Sequence, residues 1–95
     1  MNYVAEIVAD LKVDLDDCPD DLLAVYALLV LMKGFFTDLE DVHDAWSVWR
    51  NQSNPAHKSL VPFDQLTPEV QALDEKYANA IRAASMKYLK RISNG

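Results

Sequence analysis

The sequence predicts an all-α protein, a small bundle of four helices, and three observations carry that prediction. Leu22 to Met32 (LLAVYALLVLM) is eleven residues without a charge, the pattern of a helix enclosed by others. Three further stretches repeat apolar residues every three or four positions, the helical period. Capping signals mark the ends of these stretches: Asp20-Asp21, Lys33-Gly34, Thr37-x-x-Glu40 and Thr67-Pro68-Glu69. Ninety-five residues with 51% apolar content make one domain, near the small end of what encloses a core without a metal or disulfide.

The first helix is expected over about 2–13. Tyr3, Val4, Ile7, Val8 and Leu11 share one face, with Glu6, Asp10 and Lys12 on the other. A connector broken by Pro19 follows, with five acids within 14–21. Their D-x-D spacing does not continue to a glycine and a distal glutamate, so the turn reads as solvated and not as a calcium loop. The second helix, about 20–33, has acids at its start and Lys33 then Gly34 at its end, as the helix dipole and the C′ position favour. At ~1.5 Å per residue it is far too short for a ~30 Å hydrocarbon core.

A third helix is expected over about 38–51, with Leu39, Val42, Ala45, Trp46 and Trp49 as its apolar stripe. His43 and Arg50 lie seven apart beside that stripe. The turn formers NQSNP end it. Residues 56–66 lack a helical period, and Pro62 forbids an unbroken helix; Leu60, Val61, Phe63 and Leu66 predict an ordered extended segment pressed onto the core. The last helix, about 68–92, places Val70, Leu73, Tyr77, Ala80, Ile81, Ala84 and Tyr88 inside, with Lys87, Lys90 and Arg91 in its final turns.

Charge is divided by halves. Residues 1–45 hold eleven acids and two bases, a net of −9; residues 46–95 hold four acids and seven bases, a net of +3. The overall balance of −6 argues against nucleic-acid binding, which needs clustered bases, but it allows one basic site in the second half or head-to-tail pairing of two copies. A single cysteine, Cys18, suits a reducing compartment. Glu6 and Asp10 interrupt the N-terminus where an export signal would be basic and then apolar, so a cytoplasmic protein without a membrane segment is expected. Catalysis is not expected. Cys18 stands in an acidic turn that disfavours its thiolate, the two histidines lack metal-ligand spacing, and two glycines cannot build a phosphate loop. No cofactor is implied.

The segment DVHDAW, then H-K-S-L-V-P-F-D-Q-L from His57, then a capped helix carrying Asp74 and Tyr77, resembles the RyR-type domain over about residues 38–85. In that family a helix bearing His and Trp precedes a His-Pro-x-Leu-Val-Pro-aromatic-acid-x-Leu motif and a further helix. Lys58 stands in place of the motif's proline, and RNQSNPA replaces a Gly-Trp-x-Tyr-Gly segment that helps form the family's adenine-nucleotide pocket. The layout is also similar to small accessory proteins of actinobacteria and their phages. The resemblance implies a receptor or sponge for a nucleotide-derived signal, as in bacterial defence.

Such a site needs aromatic faces for a purine, cations for phosphate and polar groups for the base edges. Trp46, Trp49, Phe63 and Tyr77 supply candidate faces, Arg50, Lys58 and Arg82 candidate cations, and His43 and His57 candidate polar groups. The amides at the start of the last helix offer a second place for an anion. Every one of these residues also has a plain structural use. The tryptophans can close a small core, His57 can fix its segment by bonding backbone, and the cations can be solvated. The alternative to a ligand site is a protein-interaction or self-associating module, favoured if Phe35, Phe36, Trp46 and Trp49 do not all find cover.

Overall fold

Local chemistry sets where each helix begins. In the structure, a computed structural model that describes residues 2–94, the Asn2 side chain accepts the Ala5 amide at 2.8 Å and opens α1 (Tyr3–Asp14). α2 (Asp20–Met32) ends at Gly34, whose φ of +57° suits a residue without Cβ, and a Cβ there would lie 3.0 Å from Ser85 Oγ. A single 3-10 turn, Gly34–Phe36, then leads to α3 (Leu39–Ser53). The reciprocal capping box of α3 is Asp38 with Asp41, at 2.8 and 3.0 Å, and not Thr37 with Glu40. Thr37 is instead fully buried, its hydroxyl donating to the Gly34 carbonyl at 2.8 Å.

A short helical turn, α4 (Pro68–Ala72), and the long α5 (Glu75–Asn94) complete the fold, with no strand among the described residues. The protein is therefore a small all-α bundle of four long helices. α1, α3 and α5 all pack on α2. Ile7 and Leu11, then Leu23 and Tyr26, Val42, and Ala78 and Ile81 bring the four helices to one interior. Alanines at 78, 80 and 84 let α5 approach closely. No described helix is long and apolar enough to cross a membrane.

Three further expectations are corrected. First, α2 is not enclosed on all sides. Three neighbours cover only part of a cylinder, which leaves Leu28 56% and Met32 73% exposed. Second, the last helix is not continuous over 68–92: the chain turns at Leu73-Asp74, and α5 starts afresh with the Ala78 amide donating to the Asp74 carbonyl at 3.0 Å. The break resets the helical phase, so Leu73, expected inside, is 67% exposed, while Ala78 and Ser85 join the interior. Third, residues 54–66 are ordered as tight turns and not as extended chain. The amides of His57, Leu60 and Gln65 donate to the carbonyls of Asn54, His57 and Pro62 at 2.9–3.1 Å, and Phe63–Gln65 forms a second 3-10 turn. Asn54-Pro55 and Pro62 are turn formers, and they decide the path.

Candidate functional site

A cavity of about 420 Å³ opens where the start of α2, the middle of α3, the turn segment and the α4–α5 junction meet. That is the size range of small-molecule pockets. α3 supplies His43, Trp46, Trp49 and Arg50, which the helical period places on one side. Facing them are Tyr26 of α2, His57 of the turn segment, Asp74 at the junction and Tyr77 of α5.

The walls are mainly aromatic. The His43 ring stacks near Trp46 at 5.8 Å between centroids, and the His57 ring meets Trp46 edge-on at 5.1 Å. Tyr26 and Tyr77 lie 5.7 Å apart, tilted by 40°. The Arg50 guanidinium carbon sits 4.5 Å from the Trp49 ring centroid and 5.9 Å from that of Trp46, within cation–π range of both.

The histidines are fixed from behind. His43, 3% exposed, donates from Nε2 to the Val61 carbonyl at 2.7 Å; a carbonyl only accepts, so that nitrogen carries the proton. This bond ties the turn segment to α3. His57 Nδ1 accepts the Ser59 amide at 3.1 Å, so a neutral His57 keeps its proton on Nε2.

The charges are not satisfied in the same way. Arg50 Nε is buried and has no hydrogen-bond partner among the described residues. The Asp74 carboxylate accepts no hydrogen bond and forms no ion pair among the described residues. Burial pushes the Asp74 carboxyl above the usual carboxylate range, with the charge of His43 pulling the other way. Burial likewise raises the Tyr26 hydroxyl, which stays protonated. The Cys18 thiol, outside the cavity, is raised by burial and then by Asp17 and Asp21. Among the described residues no group of three or more His, Cys, Asp or Glu side chains could hold a metal ion.

The structure brings together His43, Trp46, Trp49, Arg50, His57 and Tyr77. Three other candidates lie elsewhere. Lys58 is exposed on the turn between His57 and Ser59, both of which face the cavity. Phe63 backs His43 from outside the cavity, with ring centroids 6.1 Å apart. Arg82 is five residues beyond Tyr77, well round α5, and donates to the Thr37 carbonyl at 2.9 Å and to Asn79 Oδ1 at 3.1 Å. It satisfies the backbone of a buried residue instead of meeting a ligand. The start of α4 holds no anion site either: the helix is one turn long, and its Val70 amide already donates to Thr67 Oγ1 at 3.3 Å.

Sequence reasoning did not place Tyr26, Ser59 or Asp74 in the site. For Asp74 a signal was present. Val70, Asp74 and Tyr77 sit at i, i+4 and i+7, so an acid interrupts an otherwise apolar stripe. For Tyr26 the signal is a lone hydroxyl within an eleven-residue uncharged run. No curated protein and no solved structure matches the chain. A family model described as Domain of unknown function (DUF7701) matches residues 2–86, nearly the whole length, and the protein belongs to that family.

Proposed function

We propose that the protein is a non-enzymatic binder of a planar, anionic small molecule of the nucleotide-derived class, which it senses or withdraws from solution. The observation that carries this reading is Arg50. Its guanidinium lies on Trp49 with a buried Nε that meets no acceptor among the described residues, at the wall of a cavity of about 420 Å³. Guanidinium groups suit phosphate and carboxylate through bidentate geometry, and the surrounding rings suit a flat heterocycle. The RyR-type resemblance of residues 38–85 supports the nucleotide class, while the match to a domain of unknown function adds nothing to it. Binding is favoured over catalysis because the one thiol lies outside the cavity with its thiolate disfavoured. The free thiol of Cys18 fits a site of action in a reducing compartment such as the cytoplasm.

Both tryptophans of the chain line the cavity, so their emission reports on it alone. Titration with adenine and guanine nucleotides, ADP-ribose and cyclic dinucleotides is expected to quench that emission for at least one of them. At a hundred times its dissociation constant, that ligand adds about 2.7 kcal/mol to stability, which raises Tm by several degrees. Arg50→Gln is expected to weaken both effects. No quenching and no shift across the panel overturns the reading.

A second reading is favoured by one observation. Phe36 is 84% exposed, and Leu28, Met32 and Phe35 leave further apolar surface along the outer side of α2 and beyond it. The occupant this reading commits to is a second copy, because the acidic first half and the basic second half attract each other head to tail. A sedimentation mass that rises with concentration and falls with added salt supports it; a constant monomer mass overturns it.

A further inference from the structure

We infer that Asp74 is the specificity-determining residue of the cavity: its carboxylate selects a heterocycle with two adjacent N–H donors, as on the Watson–Crick edge of guanine, while Arg50 takes the phosphate. The inference rests on the proposed reading of this cavity as a nucleotide site and names the base it prefers.

Two opposite charges line one cavity, and among the described residues neither forms an ion pair, Arg50 Nε has no hydrogen-bond acceptor and the Asp74 carboxylate accepts no hydrogen bond. A ligand carrying only an anion would be drawn to Arg50 and repelled by Asp74. A ligand carrying only a cation would meet the reverse. The ligand that satisfies both carries an anion at one end and hydrogen-bond donors at the other. The same cavity is also lined by the rings of Trp46, Trp49, Tyr26 and Tyr77, which suit a ligand with a flat, aromatic body.

Guanine meets all three demands. Its N1–H and exocyclic N2–H lie side by side and can donate to the two oxygens of one carboxylate. Adenine presents N1 as an acceptor on the same edge, which places acceptor against acceptor in a site the ligand itself has closed to water. Leaving a buried polar group unpaired is the costlier error. The Asp74 side chain has no structural duty that competes with this role. α5 begins on its backbone carbonyl, which accepts from the Ala78 amide, and the carboxylate holds no cap bond.

The test follows tryptophan quenching near neutral pH with GMP, IMP, AMP and guanosine, on the wild-type chain, Asp74→Asn and Arg50→Gln. The wild type is expected to bind GMP at least about tenfold more tightly than AMP. IMP, which keeps N1–H but lacks the 2-amino group, is expected to fall between them. Asp74→Asn brings GMP and AMP to near equality, because an amide can both donate and accept. Arg50→Gln removes the advantage of GMP over guanosine. AMP binding as tightly as GMP to the wild type overturns the inference and leaves the nucleotide site standing, as does a guanine preference unchanged in Asp74→Asn. No quenching by any of the four, with none from the wider panel, overturns the site as well. Should Asp74→Asn fail to fold, the wild-type order of GMP, IMP and AMP still decides.

Discussion

Two arginines divide the molecule. Arg91, near the end of α5, reaches across to α1, with Nε 3.0 Å from Glu6 and Nη1 2.7 Å from Asp10; one nitrogen, Nη2, is buried without a hydrogen-bond partner among the described residues. Arg50, on α3, pairs with no carboxylate among the described residues and lies instead on two tryptophans. The α1–α5 face therefore uses a cation to fasten two helices, whereas the α3–α5 corner holds a cation and an acid in one cavity without joining them. The same chemistry is structural where partners are supplied and available to a ligand where they are withheld.

The largest expected effect tests whether stability belongs to the first region. Leu11, fully buried, is expected to cost ~2–4 kcal/mol on substitution by alanine, read as a lower urea midpoint at constant slope. Trp49→Ala, at a half-buried position against an open cavity, is expected to cost no more than about half of that while abolishing ligand quenching by the remaining tryptophan. Equal costs would make Trp49 a core residue and erase the division. The arginines give the next contrast. Arg91→Ala is expected to lose ~1–2 kcal/mol at low salt and less at high salt, since two partly exposed ion pairs go together. Arg50→Gln forfeits only its cation–π contacts, ~0.5–1 kcal/mol, yet takes the affinity for phosphate with it. A salt-sensitive loss in Arg50→Gln and none in Arg91→Ala would invert the comparison.

Much of the first region was legible in the sequence. Helical spacing puts Ile7 and Leu11 on the inner face of α1 and Ile81 and Ala84 on that of α5, and all four are buried. Periodicity within α3 likewise placed His43, Trp46, Trp49 and Arg50 on the side that lines the cavity. Positions beyond a break in the helix were less legible. The turn at Leu73-Asp74 carries no proline or glycine, so nothing local announces it, and extending one helical phase through it put Leu73 inside and left Asp74 out of the candidate site. Arg82 was misassigned for a related reason. Its partner, the Thr37 carbonyl, is forty-five residues away in sequence, and a bond of that span has no local signature.

The smallest expected effect is the sharpest test of the second region. Burial raises the Asp74 carboxyl pKa in the folded state, so the folded chain binds that proton more readily than the unfolded chain does. The stability tied to Asp74 is therefore fully present below the ordinary carboxylate range and is lost as pH rises through the raised value. At neutral pH the charged form is a net cost, and Asp74→Asn is expected to be the more stable protein. The gain stays below ~1 kcal/mol, because the carboxylate is only partly buried and water still screens it. The titratable and charged groups that share the cavity with Asp74 are His43 and Arg50 on α3, His57 on the turn segment, Tyr26 on α2 and Tyr77 on α5, and of these His43 acts on its charge. All are common to both proteins, so the difference between their Tm–pH curves isolates the one carboxylate. It is expected to shrink to nothing in acid and to grow towards neutrality. A less stable Asp74→Asn at neutral pH would mean that the carboxylate holds the fold together, and an acid with that duty is not free to read a ligand. A more stable variant that has also lost base discrimination identifies a side chain kept for recognition at the expense of stability.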